Sequence, residues 1–272
     1  MEGNFAATFI VVFREALEAA LIVGIIMTFL LKLNARRYFP HVIASTVVAI
    51  GVSIVAGFWL HTLTSGLQGQ ISKLIEGVIS LVACGILTYM VFWMDAQARK
   101  IKPEIETQLE GALTQNQVVA ILALPFFAVF REGAETVLFL KAIAIQSGGS
   151  ASLLGGLGGT ALAIAIVAAI FVWGRRIPLR PLFRGTGVLI LLIAAGLLAY
   201  GIHELQEIGW VPWTIYPVWN TNGILNEKVG LGAFLKALFG YNGNPSLIEV
   251  LAYWTFIGGI IYKLKKLSNA PT

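Results

Sequence analysis

Seven runs of about 20 apolar residues, parted by short polar or basic segments, constrain this 272-residue chain more than any motif in it. A bilayer core of about 30 Å takes about 20 residues of helix, and the runs fall at 5–31, 40–63, 71–94, 118–146, 152–173, 183–205 and 247–264. The chain is 57% hydrophobic and only 12% charged, with a mean hydropathy of +0.82. A soluble chain carries roughly 25% charged residues, so this one lacks the means to build a polar surface. An all-α integral membrane protein with seven transmembrane helices is expected. Pro40, Pro103, Pro178, Pro181 and Pro245 lie between runs or at their ends, whereas Pro125 lies inside the fourth and should kink it. Cys84 is the single cysteine, which excludes an internal disulfide framework or a cysteine metal cluster. The opening "MEGNFAATF" has no basic region of the kind that begins a cleaved signal, so none is expected.

Basic residues orient the spans. Lys32, Arg36, Arg37, Arg99, Lys100, Lys102, Arg175, Arg176, Arg180, Arg184, Lys263, Lys265 and Lys266 all fall on one side. The other side holds Lys73, Lys228 and Lys236, and Arg14, Arg131 and Lys141 lie within runs. The positive-inside rule then places the N-terminus outside and the C-terminus in the cytoplasm. The net charge of +5 is thus a matter of topology, and no nucleic-acid partner is expected.

Charge inside two of the runs is the second constraint. "FREALEAALIVG" at 13–24 returns as "FREGAETVLFLK" at 130–141, an offset of 117, and "GILTY" at 85–89 returns as "GLLAY" at 196–200, an offset of 111. Since spans one and four run in opposite directions, these echoes describe an inverted repeat of three helices plus three. The expected organisation is a single permease domain over 1–272. Repeat one covers about 5–94, repeat two about 118–205, an outer loop 206–246, and a seventh helix 247–264. Secondary transporters are often built so, with the site near midplane between the halves.

Arg14 reaches Glu18 one turn on, Glu15 and Glu18 share a face, and Arg131, Glu132 and Glu135 repeat the pattern. An ionised group at the bilayer centre costs about 2.5–3.5 kcal/mol on insertion scales, so these groups must face each other, a polar cavity or an ion. Four glutamates make an all-oxygen cage for a hard cation. Each arginine is expected to neutralise one glutamate until a metal takes its place, with release linked to glutamate protonation. The chemistry alone suits Mn²⁺, Fe²⁺, Fe³⁺ or Pb²⁺. An intramembrane metal-dependent enzyme is the competing class, but no histidine lies within four residues of either motif. A non-transporting assembly subunit would have no use for two carboxylate pairs at midplane.

Towards the outer end of span six, "GIHELQE" places His203, Glu204 and Glu207 as a candidate entry site, and Glu76 in span three either extends the acidic path or pairs with Lys73. His41, His61, Lys141 and Glu249 read as interfacial. Trp210, Trp213, Tyr216 and Trp219, followed by "KVGLGAFLKALFGY", read as an aromatic belt and an amphipathic helix lying on the membrane. Gly155, Gly156, Gly158 and Gly159 should let span five pack closely on a neighbour. No phosphate-binding loop appears, so direct ATP use is not expected.

Arg-Glu-x-x-Glu in the first and fourth of seven spans resembles the high-affinity iron permeases. These include the fungal permease that works with a multicopper ferroxidase, the bacterial Efe-type iron uptake permease and lead-transporting relatives. The likeness runs from "FREALEAALIVG" through "FREGAETVLFL" to "HELQEIGWVP" at 203–212. It implies that Glu15, Glu18, Glu132 and Glu135 carry iron, that Arg14 and Arg131 are the motif arginines, and that no enzymatic cofactor is needed. It further implies ferric ion imported after oxidation of ferrous iron, a cell (inner) membrane location, and a periplasmic iron-binding protein with a peroxidase or ferroxidase as partners. A homo-oligomer is compatible with the same reading. Ala16 stands where the family motif usually has glycine, and the acidic "DASE" segment of fungal members has no counterpart here.

Overall fold

The computed structural model describes residues 2–97, 101–114, 117–174 and 179–268, and among these the regular structure is helical, with no strand. The helices are α1 (Glu2–Lys32), α2 (Phe39–Ser65), α3 (Gly69–Gln97), α4 (Ile101–Thr114), α5 (Val118–Ser147), α6 (Leu153–Phe171), α7 (Leu179–Glu207), α8 (Gly230–Phe239) and α9 (Leu247–Ser268). All seven apolar runs are helical, with ends within four residues of those read from the sequence. By length and composition, five stretches are able to cross a membrane: Arg36–Ser65, Gly69–Met94, Leu153–Phe171, Pro181–Glu207 and Leu247–Lys266. The protein is therefore a multi-pass membrane protein. The two remaining long helices, α1 and α5, carry the charged motifs. Of the basic residues used to orient the chain, Arg99, Lys100, Arg175 and Arg176 lie outside the described residues, as do the side chains of Lys102 and Arg180.

Close approaches set the arrangement. Without a hydrophobic drive between helices in lipid, small residues that let backbones approach decide which helices pair. α6 lies parallel to α1. A Cβ on Gly155 would come within 2.6 Å of the Phe5 carbonyl, and one on Gly159 within 2.7 Å of the Phe9 carbonyl, while Gly24 faces Phe171. Of the four glycines expected to pack closely, Gly155 and Gly159 do so, Gly158 meets the Phe9 ring at ordinary distance, and Gly156 faces open space. α5 lies parallel to α2, with Gly133 against Ser53 and Gly57 against Val137. α5 is continuous through Pro125, and the Ser45 hydroxyl donates to the Leu122 carbonyl at 2.6 Å. That bond serves the turn where proline disturbs the helix's own ladder. α3 and α7 are antiparallel, since Gly77 meets Gly201 and Val91 meets Gly187. α1 and α5 are also antiparallel: Ile26 and Ile121 share one cluster, while Asn4 donates to the Ser150 carbonyl at 3.0 Å.

α1 thus packs on α6 and α5 on α2, and the two charged helices meet at the centre. The crossing also accounts for the Ala16/Gly133 difference between the motifs. A Cβ on Gly133 would lie 2.6 Å from the Ser53 Cβ, whereas Ala16 sits partly buried against the Phe13–Leu17–Ala163 cluster and has room for its methyl. Gly133→Ala is expected to destabilise by about 1–3 kcal/mol through overpacking. Ala16→Gly should cost only about 0.5–1 kcal/mol of helix propensity. Thermal unfolding of the two variants in detergent would rank them.

One feature adds to the sequence reading and one differs from it. The polar segment between the third and fourth runs contains α4, whose Leu109 and Ala112 are buried with Ile26, Leu30, Tyr38, Val42 and Ile121 at one end of the bundle. At the opposite end, α8 does not lie on the membrane. It enters between α1, α5 and α7, and Ala237 and Leu238 join a core with Ala7, Val11, Phe139, Ile143, Ile193 and Leu197. Its C-cap, Gly240, has φ +67 and sits backbone to backbone on Gly196 of α7. Only glycine combines that left-handed turn with so close an approach. Gly196 is 11 residues from the end of α7, so α8 reaches roughly 16 Å inward. A decamer with one apolar face reads alike on a bilayer surface or in a helical cleft, which is why periodicity misplaced it.

Candidate metal-translocation site

Glu15 and Glu132 fall near the middle of α1 and α5, and the antiparallel crossing brings the two motifs face to face. In the first motif, Arg14 Nη1 donates to Glu15 Oε1 at 3.0 Å, and Nη2 lies 3.0 Å from Glu18 Oε1. Nη1 also approaches the Met90 sulfur at 3.3 Å. In the second, Arg131 Nη2 lies 2.8 Å from Glu132 Oε1 and Nε lies 3.5 Å from Glu135 Oε1. Each arginine therefore bridges both glutamates of its motif, not the single i,i+4 partner expected. A guanidinium has five donors on a long stem and reaches its neighbour in sequence as well as the next turn.

The motifs are not equivalent in surroundings. The Arg14 side chain is 2% exposed, whereas that of Arg131 is 47% exposed and stacks over Trp93 at 5.2 Å. Between them, one carboxylate oxygen each from Glu15, Glu132 and Glu135 lies within 4.8 Å of the others. Glu18 stays with Arg14, outside that trio. Glu15 Oε2, Glu132 Oε2 and Glu135 Oε2 are buried with no hydrogen-bond partner. Buried acceptors gathered without a donor are costly, and a cation or added protons would relieve them. Four carboxylates against two guanidiniums leave a charge of −2 when all are ionised, and the donor set is oxygen only, which fits a hard or borderline cation.

Of the other sequence candidates, His203 and Glu204 line a cavity of roughly 430 Å³ at the α8 end, and Glu76 and Glu207 do not. Glu76 accepts from the Ser72 hydroxyl at 2.8 Å, and the Tyr200 hydroxyl donates to Glu76 Oε2 at 3.4 Å. Lys73 pairs with Glu207, so the alternative pairing of Lys73 with Glu76 is overturned. His203 has a carboxylate on each ring nitrogen, Glu249 at 3.0 Å from Nδ1 and Glu207 at 3.4 Å from Nε2. Glu204 and His203 line the cavity, while Glu207 stands with Lys73.

Glu249, read as interfacial, is buried. It forms a reciprocal cap with Ser246 at the start of α9 and accepts from Asn242 at 2.8 Å as well as meeting His203. The signal was present as Ser246-Leu247-Ile248-Glu249, the S-x-x-E capping pattern. Gln146 also lines the cavity and was not singled out at all. His41 and His61 are exposed, and Lys141 is half-buried.

The 208–246 segment is pinned by Glu227, which accepts from Lys236 Nζ at 2.9 Å and from the Gly243 N–H at 2.8 Å. Burial works to raise its carboxyl, but those two hydrogen bonds and the Lys236 and Lys228 charges hold it below the ordinary carboxylate range. A carboxylate depressed in the folded state stabilises the fold above its unfolded value of about 4.3, and that contribution is lost as pH falls through the folded value. Glu227→Gln should therefore lower the thermal midpoint at neutral pH. In a melting series the gap to the wild type should close as pH falls below about 4.

The fold and the central cluster define a multi-pass membrane protein organised around a buried, oxygen-only carboxylate site. The family model described as Iron permease FTR1 family matches residues 5–263, and the chain belongs to that family. The protein named Ferrous iron permease EfeU of Yersinia pestis is 35% identical over 253 residues, covering 92% of this chain and 89% of that protein. The protein of the same name from Escherichia coli O6:H1 (strain CFT073) is 31% identical over 253 residues, covering 92% and 91%. These relatives are named as permeases, not enzymes. No solved structure matches the chain.

Proposed function

We propose that this protein is a permease that imports iron across the cell (inner) membrane, with Glu15, Glu132 and Glu135 as the central ligands and Glu18 as the fourth carboxylate of the cage. The observation that carries the reading is the trio Glu15, Glu132 and Glu135, each with one carboxylate oxygen within 4.8 Å of the others and each with a buried Oε2 that has no hydrogen-bond partner, held between two antiparallel helices in a member of an iron permease family. Arg14 and Arg131 hold the glutamates in the empty state, and incoming metal displaces guanidinium from carboxylate. Iron passes the outer residues His203, Glu204 and Glu207 and then Glu76, reaches the cage, and leaves on the cytoplasmic side as the glutamates take up protons.

The chain is read as one permease domain over 1–272 with seven spans, α1 and α5 crossing as the charged members, the N-terminus outside and the C-terminus in the cytoplasm. Exchanged packing supports the inverted repeat: α1 on α6 and α5 on α2 are the pairs that a two-fold axis in the membrane plane would interchange. On oxidation state, the resemblance to oxidase-coupled permeases implies ferric ion. The cage charge of −2 and the relatives' printed name favour ferrous ion, which the cage would neutralise in full. Purified protein in liposomes, offered ⁵⁵Fe as Fe²⁺ under ascorbate or as chelated Fe³⁺, with Mn²⁺ and Pb²⁺ as competitors, tests the reading. Uptake of iron in one oxidation state, outcompeting the other metals, supports it. Equal transport of Mn²⁺ or Pb²⁺, or no transport of iron even with a periplasmic iron-binding protein and peroxidase added, contradicts it.

A further inference from the structure

A cation that takes the three close carboxylates leaves the two motif arginines in different situations. Arg14 gives up Glu15, but its Nη2 lies 3.0 Å from Glu18, outside the trio, and its Nη1 donates to the buried Met90 sulfur at 3.3 Å. It therefore keeps an ion pair and a hydrogen bond, and it is buried on all sides. Both carboxylates of Arg131, Glu132 at 2.8 Å and Glu135 at 3.5 Å, belong to the trio. Arg131 is left with neither. The contact that survives is the Trp93 ring, whose centroid lies 5.2 Å from the guanidinium carbon.

Trp93 stands one turn before the end of α3, at the close of the apolar span Gly69–Met94. Its neighbour Phe92 has Lys263 of α9 over its ring at 3.9 Å, and Lys263 is among the lysines on the side read as cytoplasmic. Met90, against Arg14, lies about one turn deeper on the same helix. The half-exposed Arg131 thus emerges from the bundle at the inner mouth, where a guanidinium escapes the cost of facing hydrocarbon, while Arg14 is sealed inside.

We propose that Arg131 is the moving member of the pair, a plug on the cytoplasmic side of the cage, and that Trp93 is the positioning residue that receives its guanidinium when a divalent cation occupies Glu132 and Glu135. The proposal rests on the reading of the central cage as a cation site. In the empty state two carboxylates neutralise the guanidinium, and the ring adds little. In the loaded state the negative face of the ring is its remaining close partner among the described residues, so Trp93 stabilises the loaded state more than the empty one. The attraction acts over the whole face of the indole, so the guanidinium leaves the carboxylates without losing the ring and returns once the ion has gone. Arg14 stays with Glu18 and Met90 throughout and keeps α1 against α3.

Binding of ⁵⁵Fe²⁺ under argon to full-length protein in nanodiscs, followed over a double-mutant cycle, tests this. Trp93→Leu, which keeps an apolar side chain but no π face, should weaken binding about fivefold, the worth of one partly exposed cation–π contact. Trp93→Phe, which keeps an aromatic face, should recover most of that loss. In an Arg131→Gln background Trp93→Leu should change nothing, because no guanidinium is left to receive. Equal weakening by Trp93→Leu in both backgrounds marks a packing role and overturns the proposal, as does unchanged affinity in Trp93→Leu alone. The wild-type protein gives a second measurement that needs no variant to fold. Labelling by phenylglyoxal, read by mass spectrometry, should rise at Arg131 on Fe²⁺ loading while Arg14 stays unlabelled, and equal labelling of Arg131 with and without iron overturns the movement. Glu132→Gln separates this proposal from the reading beneath it. Iron binding like the wild type in that variant sinks the cage and the plug together. Binding lost there, with an additive cycle at Trp93 and Arg131, leaves the cage standing and sinks the plug alone.

Discussion

Glu132→Gln and Glu15→Gln should each reduce ⁵⁵Fe uptake to the level of vesicles without the protein, while the variants still insert and purify. Both side chains are almost fully buried, and each supplies one of the three mutually close oxygens. Glutamine keeps the size and one carbonyl oxygen, so the helix crossing survives. What changes is charge: the empty cluster falls from −2 to −1, and a full carboxylate ligand becomes a neutral one. Because α1 and α5 each contribute, the two variants should fail alike and the double variant should be no worse. A helix-stapling role for the motifs predicts the opposite, with lowered stability and retained uptake.

Arg14→Gln should destabilise the protein far more than Arg131→Gln. Arg14 is buried and holds both Glu15 and Glu18, so its loss leaves two buried carboxylates without a counter-charge. Removing one partner of a buried ion pair costs about 3–5 kcal/mol. Arg131 is half exposed, so its guanidinium gives a smaller share to the fold. Thermal unfolding at matched pH separates the two. The gap should shrink towards acid, where protonated glutamates no longer need the guanidinium. Equal midpoints for the two variants would mean that burial does not set the worth of each arginine.

Much of this was legible in the sequence, for physical reasons. A helix that crosses lipid must satisfy every backbone group internally, so run length alone located the seven long helices. A charge inside such a run has few places to go, and that pointed to Arg14, Glu15, Glu18, Arg131, Glu132 and Glu135. The double reach of each arginine depends on rotamers that spacing does not specify. Partner choice among helices was also hidden, because it follows from where Gly133 meets Ser53 and Gly155 meets Phe5, and an apolar span carries no label for its neighbour. α8 was placed on the bilayer since nothing in its ten residues shows that Gly240 would seat on Gly196. Gln146 was invisible for a related reason. A lone glutamine at a helix end looks like any residue meeting water, until the fold buries it beside the end of α8.

The most direct test is the position of the metal itself. A structure of the protein loaded with iron in a lipid environment, with anomalous scattering collected at the iron edge, should show a peak among Glu15, Glu132 and Glu135, and that peak should vanish in Glu132→Gln. A peak confined to the outer cavity, or a fully loaded protein with none at the crossing of α1 and α5, would contradict the central claim.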